Sequence, residues 1–340
     1  MSVRNRTTPT RRLAPVRRLL SATALAAALA LAATGCGGKA NADNSAPKKG
    51  TLRVGVIGSK AELTGPIGFL NSEKKLLPGL KAEGFDKIEV FPFPNGPDLN
   101  QALVGGSLDV ASYGDTPALV ARGSGLDTRL ISMAAIDSDA SIVVKKNGPK
   151  TLEDLQGKKI GVQTGSYIHR YLLGALQDAK VKPAEVVHIY NADIEAPLER
   201  GDIAAAAVPQ ANAEVFKSKG YQIIDHLLED HPDYAGTNAT VSTDKFLDAH
   251  PKFAATWQQL QNSGVKDARA HWSDYVDYSV ALSGFPADLV RPTIRKEQLP
   301  DTAFPERGLA LLESTKKFLV EQKFIKKDFS VDDWRVGGAK

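Results

Sequence analysis

The chain has 340 residues, 43 Lys and Arg against 39 Asp and Glu, and one cysteine. A single cysteine excludes an internal disulfide framework and thiolate zinc sites. Six basic residues and no acids precede Cys36, so the remainder carries 37 against 39, a formal net charge of −2 that gives no basis for nucleic-acid binding or a basic membrane face.

Residues 1–18 contain Arg4, Arg6, Arg11, Arg12, Arg17 and Arg18, and the uncharged run LLSATALAAALALAA follows at 19–33. A basic start, a short apolar run and then small residues mark a secretory signal. The run is shorter than the ~20 residues of a spanning helix, so removal of residues 1–35 is expected. The place of Cys36 behind AATG resembles the lipobox of bacterial lipoproteins, although Ala33 stands where that pattern usually has leucine. The resemblance implies acylation of Cys36 and an exported protein, anchored to the outer face of the bacterial cytoplasmic membrane or periplasmic. An ordinary signal peptide with an incidental cysteine is the alternative. Residues 36–50 then read as the lipidated cysteine and a flexible tether, rich in Gly, Ala, Asn, Lys and Pro.

The body begins with a strand, TLRVGVIG, followed by a helical face over 68–84 that is interrupted at Pro78. KIEVFPF is a strand, GPDLNQALVGG a helix with Pro97 near its first position, SLDVASYG a strand and DTPALVARGSG a helix. This alternation predicts an α/β domain with a largely parallel sheet. It restarts with the strand SIVVKK, a capped helix in TLEDLQGK, the strand KIGVQT and the helix SYIHRYLLGALQDAK. EVVHIY, IAAAAV and YQIID continue as strands between helical pieces, which argues for two lobes. From about Lys245 the pattern is almost wholly helical.

Ligands of open α/β sheets sit beyond the carboxyl ends of the strands. Four strand–corner–helix junctions occupy such places: Gly58-Ser59-Lys60, Asn95-Gly96-Pro97, Gly114-Asp115-Thr116-Pro117 and Thr164-Gly165-Ser166. No histidine pair has metal-ligand spacing, and no nucleophile elbow, phosphate loop or dinucleotide fingerprint is present. His188, in the strand EVVHIY, is expected to point into packing. Nothing in the sequence supports an enzyme, a cofactor or a metal.

The block FPNGPDLNQALVGGSLDVASYGDTPALVARGSGLDTRLI closely resembles the first lobe of substrate-binding proteins of ABC importers for aliphatic sulfonates, with taurine and nitrate binders as cousins. GKKIGVQTGSYIHRYLLGALQDAKV resembles their second lobe, and TKKFLVEQKFIKKDFSVDDW their C-terminus. The resemblance implies an α/β, two-lobed type II periplasmic-binding-protein fold with a helical C-terminal region. Lobe I would be 51–138 plus 242–340, and lobe II 139–241. It further implies a monomer that captures a sulfonate-like small organic anion and delivers it to an ABC permease and its ATPase. A chain departure lies at VPQANAE, where Gln210 and Asn212 replace the aromatic segment common in sulfonate binders. An importer component for a heterocycle such as a pyrimidine vitamin precursor, or a secreted enzyme on the same scaffold, are the rival readings.

Within that frame Thr164, Gly165 and Ser166 form an anion corner at a helix N-terminus, where unpaired N–H groups and partial positive charge collect. Ser166 alternatively only caps its helix. His169, one turn on, is either a donor to the anion or an exposed helix residue. Gly114, Asp115 and Thr116 form a second corner, with Asp115 either a cap or the partner of a ligand's cationic end. Ser59, Lys60, Asn95, Gly96, Gln210 and Asn238 complete the expected cleft, Lys60 either as a positive charge or as a surface residue.

Overall fold

Residues 50–337, the part of the chain described by the computed structural model, form two five-stranded sheets. The expected signal peptide, Cys36 and all but the last residue of the tether lie outside the described residues. In chain order come β1 (Thr51–Ile57), α1 (Gly65–Ser72), β2 (Lys87–Phe93), α2 (Gly96–Val104), β3 (Val110–Gly114), α3 (Asp115–Gly123) and β4 (Thr128–Ser138). The second group is β5 (Ala140–Val144), β6 (Lys159–Val162), α4 (Tyr167–Asp178), β7 (Glu185–His188), β8 (Ala205–Pro209), α5 (Gln210–Ser218) and β9 (Gln222–His226). Then follow β10 (Gly236–Thr243) and the helices α6 (Phe253–Ala270), α7 (Trp272–Ser283) and α8 (Glu306–Glu321).

The first sheet has the order β2-β1-β3-β10-β4 and the second β7-β6-β8-β5-β9. β1 runs parallel to β2 and β3, and β6 parallel to β7 and β8. Neither sheet is as parallel as expected, because β10 is antiparallel to β3 and β4, and β5 to β8 and β9. The reason is topological. A strand reached by a helical crossover within one sheet returns parallel, whereas β5 and β10 each arrive from the other sheet. The expected division after residue 241 falls inside β10, whose pairing with β3 and β4 starts near Gly236.

Strand residues alternate between faces, and each sheet is covered on both. In β8, Ala205 and Ala207 pack with Ile142, Tyr171 and Leu172, while Ala206 and Val208 pack with Ile194, Leu198 and Phe216 on the other side. Small alanines suit a strand squeezed between two helical layers. In the first sheet, Leu52, Val54 and Val56 of β1 pack against Phe253 and Trp257 of α6. On the opposite face Tyr113, Leu130 and Met133 meet Leu312, Leu319 and Trp334. The C-terminal helices therefore return to the first sheet. Trp334 is fully buried, donates its indole N–H to Thr128 Oγ1 at 3.2 Å, and Val336 N–H bonds Leu130 O beside the edge strand β4. A covered edge cannot template pairing with another chain.

Three local expectations change. The helix over 68–84 ends at Ser72 and resumes only as a short turn at Leu76–Leu80, because Lys74 sits at φ 59 and breaks it. The helix in TLEDLQGK is a single 3-10 turn, Glu153–Leu155. The unassigned stretch TRLISMAAIDS is the eleven-residue strand β4.

Candidate functional site

Five helices begin at residues that line one cavity of about 210 Å³. Thr64, Asn95 and Gly114 are the N-cap residues of α1, α2 and α3, which follow strands of the first sheet or their loops. Ser166 and Pro209 stand at the same place ahead of α4 and α5 in the second. Each helix N-terminus carries roughly half a positive charge, the sum of its aligned peptide dipoles. The cavity thus gathers positive potential from main chain, and none of its lining residues is charged.

The corner Thr164-Gly165-Ser166 stands at the start of α4. Gly165 takes φ +74, a conformation strained for any L side chain, and a Cβ there would stand 3.5 Å from Pro97 Cγ of α2. The two halves therefore approach closely at this glycine. Two hydrogen bonds cross beside it: Gln163 Nε2 donates to Pro94 O at 3.2 Å, and Asn95 Nδ2 to Tyr190 Oη at 3.2 Å. Gly96 is equally constrained, since a Cβ would meet the Pro117 ring at 2.3 Å and drive α2 from α3.

Ser166 caps its helix. Its Oγ accepts from His169 N–H at 3.3 Å and donates to Gln163 O at 2.6 Å, so its one hydroxyl proton is engaged within the corner. Thr164 N–H lies 3.2 Å and Thr164 Oγ1 2.7 Å from His188 Nδ1, and Gly165 N–H lies 3.4 Å from His169 Nδ1. Ring nitrogens that accept from these amides are unprotonated there. Burial, helped by the neighbouring His188, pushes the His169 imidazole down to about 4. His188 corrects the expectation of a packed strand residue: it is exposed at the end of β7 and props the corner from outside.

Of the residues expected at the cleft, Asn95, Gly96, Gly114, Thr164, Gly165, Ser166 and Asn238 line this cavity. Asn95 also caps α2 by accepting from Asp98 N–H at 2.9 Å. Six expected residues are not among the lining. Ser59 and Lys60 precede the true helix start by several residues, and Lys60 donates to Ala281 O at 2.8 Å from an exposed position. Asp115 is fully buried, with Oδ1 accepting from Thr116 N–H and Oγ1 and Oδ2 from Thr237 N–H (2.9 Å) and Oγ1 (3.1 Å). Thr116 is thereby committed to Asp115. His169 lies edge-on to Phe324, behind the corner. Gln210 turns to Ser141 Oγ at 2.7 Å and Glu214 at 3.1 Å, leaving Pro209 at the wall.

Thr64, Ser112, Tyr113, Gln163, Tyr167, Asn191 and Pro209 were not anticipated. For two of them the signal was present: Thr64 directly precedes Gly65-Pro66, and Pro209 directly follows the strand IAAAAV, both plain helix starts. Tyr113 and Tyr167 carry no such signal. Burial pushes both phenols above their ordinary range, and Tyr113 Oη donates to Asn100 Oδ1 at 2.7 Å while Tyr167 Oη donates to Asp139 O at 2.9 Å. Among the lining residues no Asp, Glu, His or Lys is placed to act as a general acid or base.

Residues 81–273 match the family described as NMT1/THI5 like. The Escherichia coli (strain K12) taurine-binding periplasmic protein is 34% identical over 126 residues, which is 36% of this chain and 39% of that protein. A second protein of that strain, provisionally named an aliphatic sulfonates-binding protein, is 36% identical over 126 residues, 36% of this chain and 40% of its own length. The chain thus matches about two fifths of the length of each. Among solved structures, the periplasmic aliphatic sulphonate binding protein SsuA from Escherichia coli superposes with a TM-score of 0.66 at 22% identity, covering 85% of this chain and 98% of that one. The desulfurization enzyme DSZB superposes at 0.62 and 18%, covering 85% and 96%. These likenesses establish the fold, the two-lobed type II periplasmic-binding-protein arrangement, which carries both a binding protein and an enzyme.

Proposed function

This chain belongs to the NMT1/THI5-like family, and from that premise we propose that it is the extracytoplasmic solute-binding component of an ABC importer for a sulfonate-like small organic anion. The observation that carries the reading is the convergence of five helix N-termini on one cavity whose lining has no charged side chain. Such a site attracts negative charge through fixed dipoles and neutral donors. A sulfonate suits it, being ionised at every physiological pH and offering three acceptor oxygens. The names of the two Escherichia coli relatives support the same class.

In this reading the lobes are residues 51–138 with 236–337, and 139–235, the ligand lying between them. Ligand favours a closed form only by its difference in affinity between the two states. The closed, monomeric protein then docks on a permease whose ATPase drives transport. Export and an acylated Cys36 fit this role, and their test is direct: a Cys36→Ser variant that stays with the membrane fraction overturns the anchor. In this reading the protein binds its ligand without transforming it, as the names of the two Escherichia coli relatives describe binding proteins.

Thermal unfolding against alkanesulfonates, taurine, sulfate, nitrate and pyrimidines tests the binding class. A ligand at ~100 times its dissociation constant stabilises by ~2.7 kcal/mol. Stabilisation by a sulfonate is expected. Stabilisation by pyrimidines alone overturns the anion reading.

A further inference from the structure

We infer that the ligand carries no cationic group: the site is selective for plain anions over zwitterions of the same size. This deepens the reading above and rests on it. Three observations meet here, all in the described residues.

First, no carboxylate lines the cavity, so an ammonium entering it finds no charge partner. Neutral acceptors exist, and Asn191 Oδ1 is buried without a hydrogen-bond partner. A carboxamide oxygen accepts a hydrogen bond but does not neutralise a desolvated charge, and unpaired buried charge is strongly unfavourable.

Second, the carboxylate nearest in sequence to the lining is unavailable. Asp115 follows Gly114 directly, yet it is 0% exposed, and its two oxygens accept four hydrogen bonds from Thr116 and Thr237. It also lies close enough to the buried guanidinium of Arg170 to interact with it, so its charge is countered inside the protein. Asp98, on the first turn of α2, is exposed and accepts from Asn95 Nδ2 at 2.9 Å, outside the lining.

Third, the helix ends set the sign of the field. Positive ends of α1, α2 and α3 and of α4 and α5 lie around the cavity. In a cavity of about 210 Å³, a cationic group two carbons from the anion stays within reach of them. The same arrangement that holds the anionic end therefore repels the cationic one.

The test pairs taurine with 1-propanesulfonate, which differ by an ammonium in place of a methyl group. In calorimetric titration of the purified protein at pH 7, propanesulfonate is expected to bind at least about tenfold more tightly. Equal or tighter binding of taurine overturns the inference while leaving a sulfonate site in place. Binding of neither overturns the sulfonate reading itself. Asn191→Asp supplies the missing carboxylate with little change of shape, and it is expected to move the affinity ratio toward taurine by about tenfold. A folded variant with an unmoved ratio overturns the account of charge as the discriminator.

Discussion

Arg170 and Asp115 grip the two ends of one short segment, residues 233–237, where the chain returns from the second sheet to the first. Arg170 Nη2 donates to Tyr234 O at 2.6 Å and Ala235 O at 2.7 Å, and Nη1 to Asp233 O at 3.4 Å. Asp115 Oδ2 accepts from Thr237 N–H. Both residues are essentially unexposed. Arg170 stands on α4, one turn past the capping Ser166, and Asp115 directly follows Gly114, so each ties a cavity corner to the crossing.

Removing Arg170 takes the donor from the carbonyls of Asp233, Tyr234 and Ala235, the last of them buried. Arg170→Met is expected to lower stability by about 3 kcal/mol, as for other losses of one member of a buried charged network. Urea unfolding measures it. Arg170→Lys is expected to recover less than half, because an ammonium cannot reproduce the planar fork. A loss below about 1 kcal/mol for the methionine variant sinks the assignment of Arg170 as the clamp.

Asp115→Asn keeps the shape and removes the charge. Its amide nitrogen must then face Thr116 or Thr237 donors, so a loss of about 1–3 kcal/mol is expected. The relative affinity of taurine and propanesulfonate is expected to stay where it was, since the carboxylate is sealed from the cavity. A changed ratio restores Asp115 as a ligand contact.

Ser166→Ala separates capping from ligand contact. The variant is expected to lose about 1 kcal/mol of stability, the usual value of an N-cap. Its anion affinity is expected to fall less than about threefold, because the Ser166 hydroxyl proton is held by Gln163 O. A tenfold or larger loss of affinity in the folded variant means that the hydroxyl turns to the ligand.

His169 gives a pH dependence whose sign follows from its depressed pKa. The unfolded imidazole titrates near 6.5 and the folded one near 4, so between these values the unfolded chain binds more protons. Its contribution is complete above pH 6.5 and declines as pH falls toward 4. His231 works oppositely: its hydrogen bond to Asp225 raises its pKa, so its contribution is complete below 6.5 and is lost as pH rises through the raised value. His169→Gln is expected to flatten the stability profile between pH 7 and 4.5 relative to the parent. An unchanged slope shows that His169 is not desolvated as described.

Much of this architecture was legible because it is written in local chemistry. Strand, polar corner and helix start recur at Asn95, Gly114 and Ser166, and those three line the cavity. The first corner misled because the small residues Gly58 and Ser59 read as a cap, whereas the chain runs on to Thr64 before α1 begins. Long-range facts were out of reach. Nothing near Asp115 in sequence discloses Thr237, 122 residues away, which takes up its second oxygen. The strand β4 was hidden for a different reason: it is buried on both faces, so TRLISMAAIDS has no alternation to read. Antiparallel β10 likewise depends on which sheet the chain returns to, a choice no single segment encodes.

The convergence of helix ends bears on motion as well as on recognition. Poles of like sign stand on walls that belong to different sheets, α1, α2 and α3 on one side and α4 and α5 on the other. Bringing such walls together alone works against their mutual repulsion, and an anion between them turns that repulsion into attraction toward a shared counter-ion. In the proposed reading, recognition and closure then share one electrostatic origin, the cleft acting as a spring that a negative charge releases. On that reading salt, which screens the poles without occupying the cavity, relaxes the same spring.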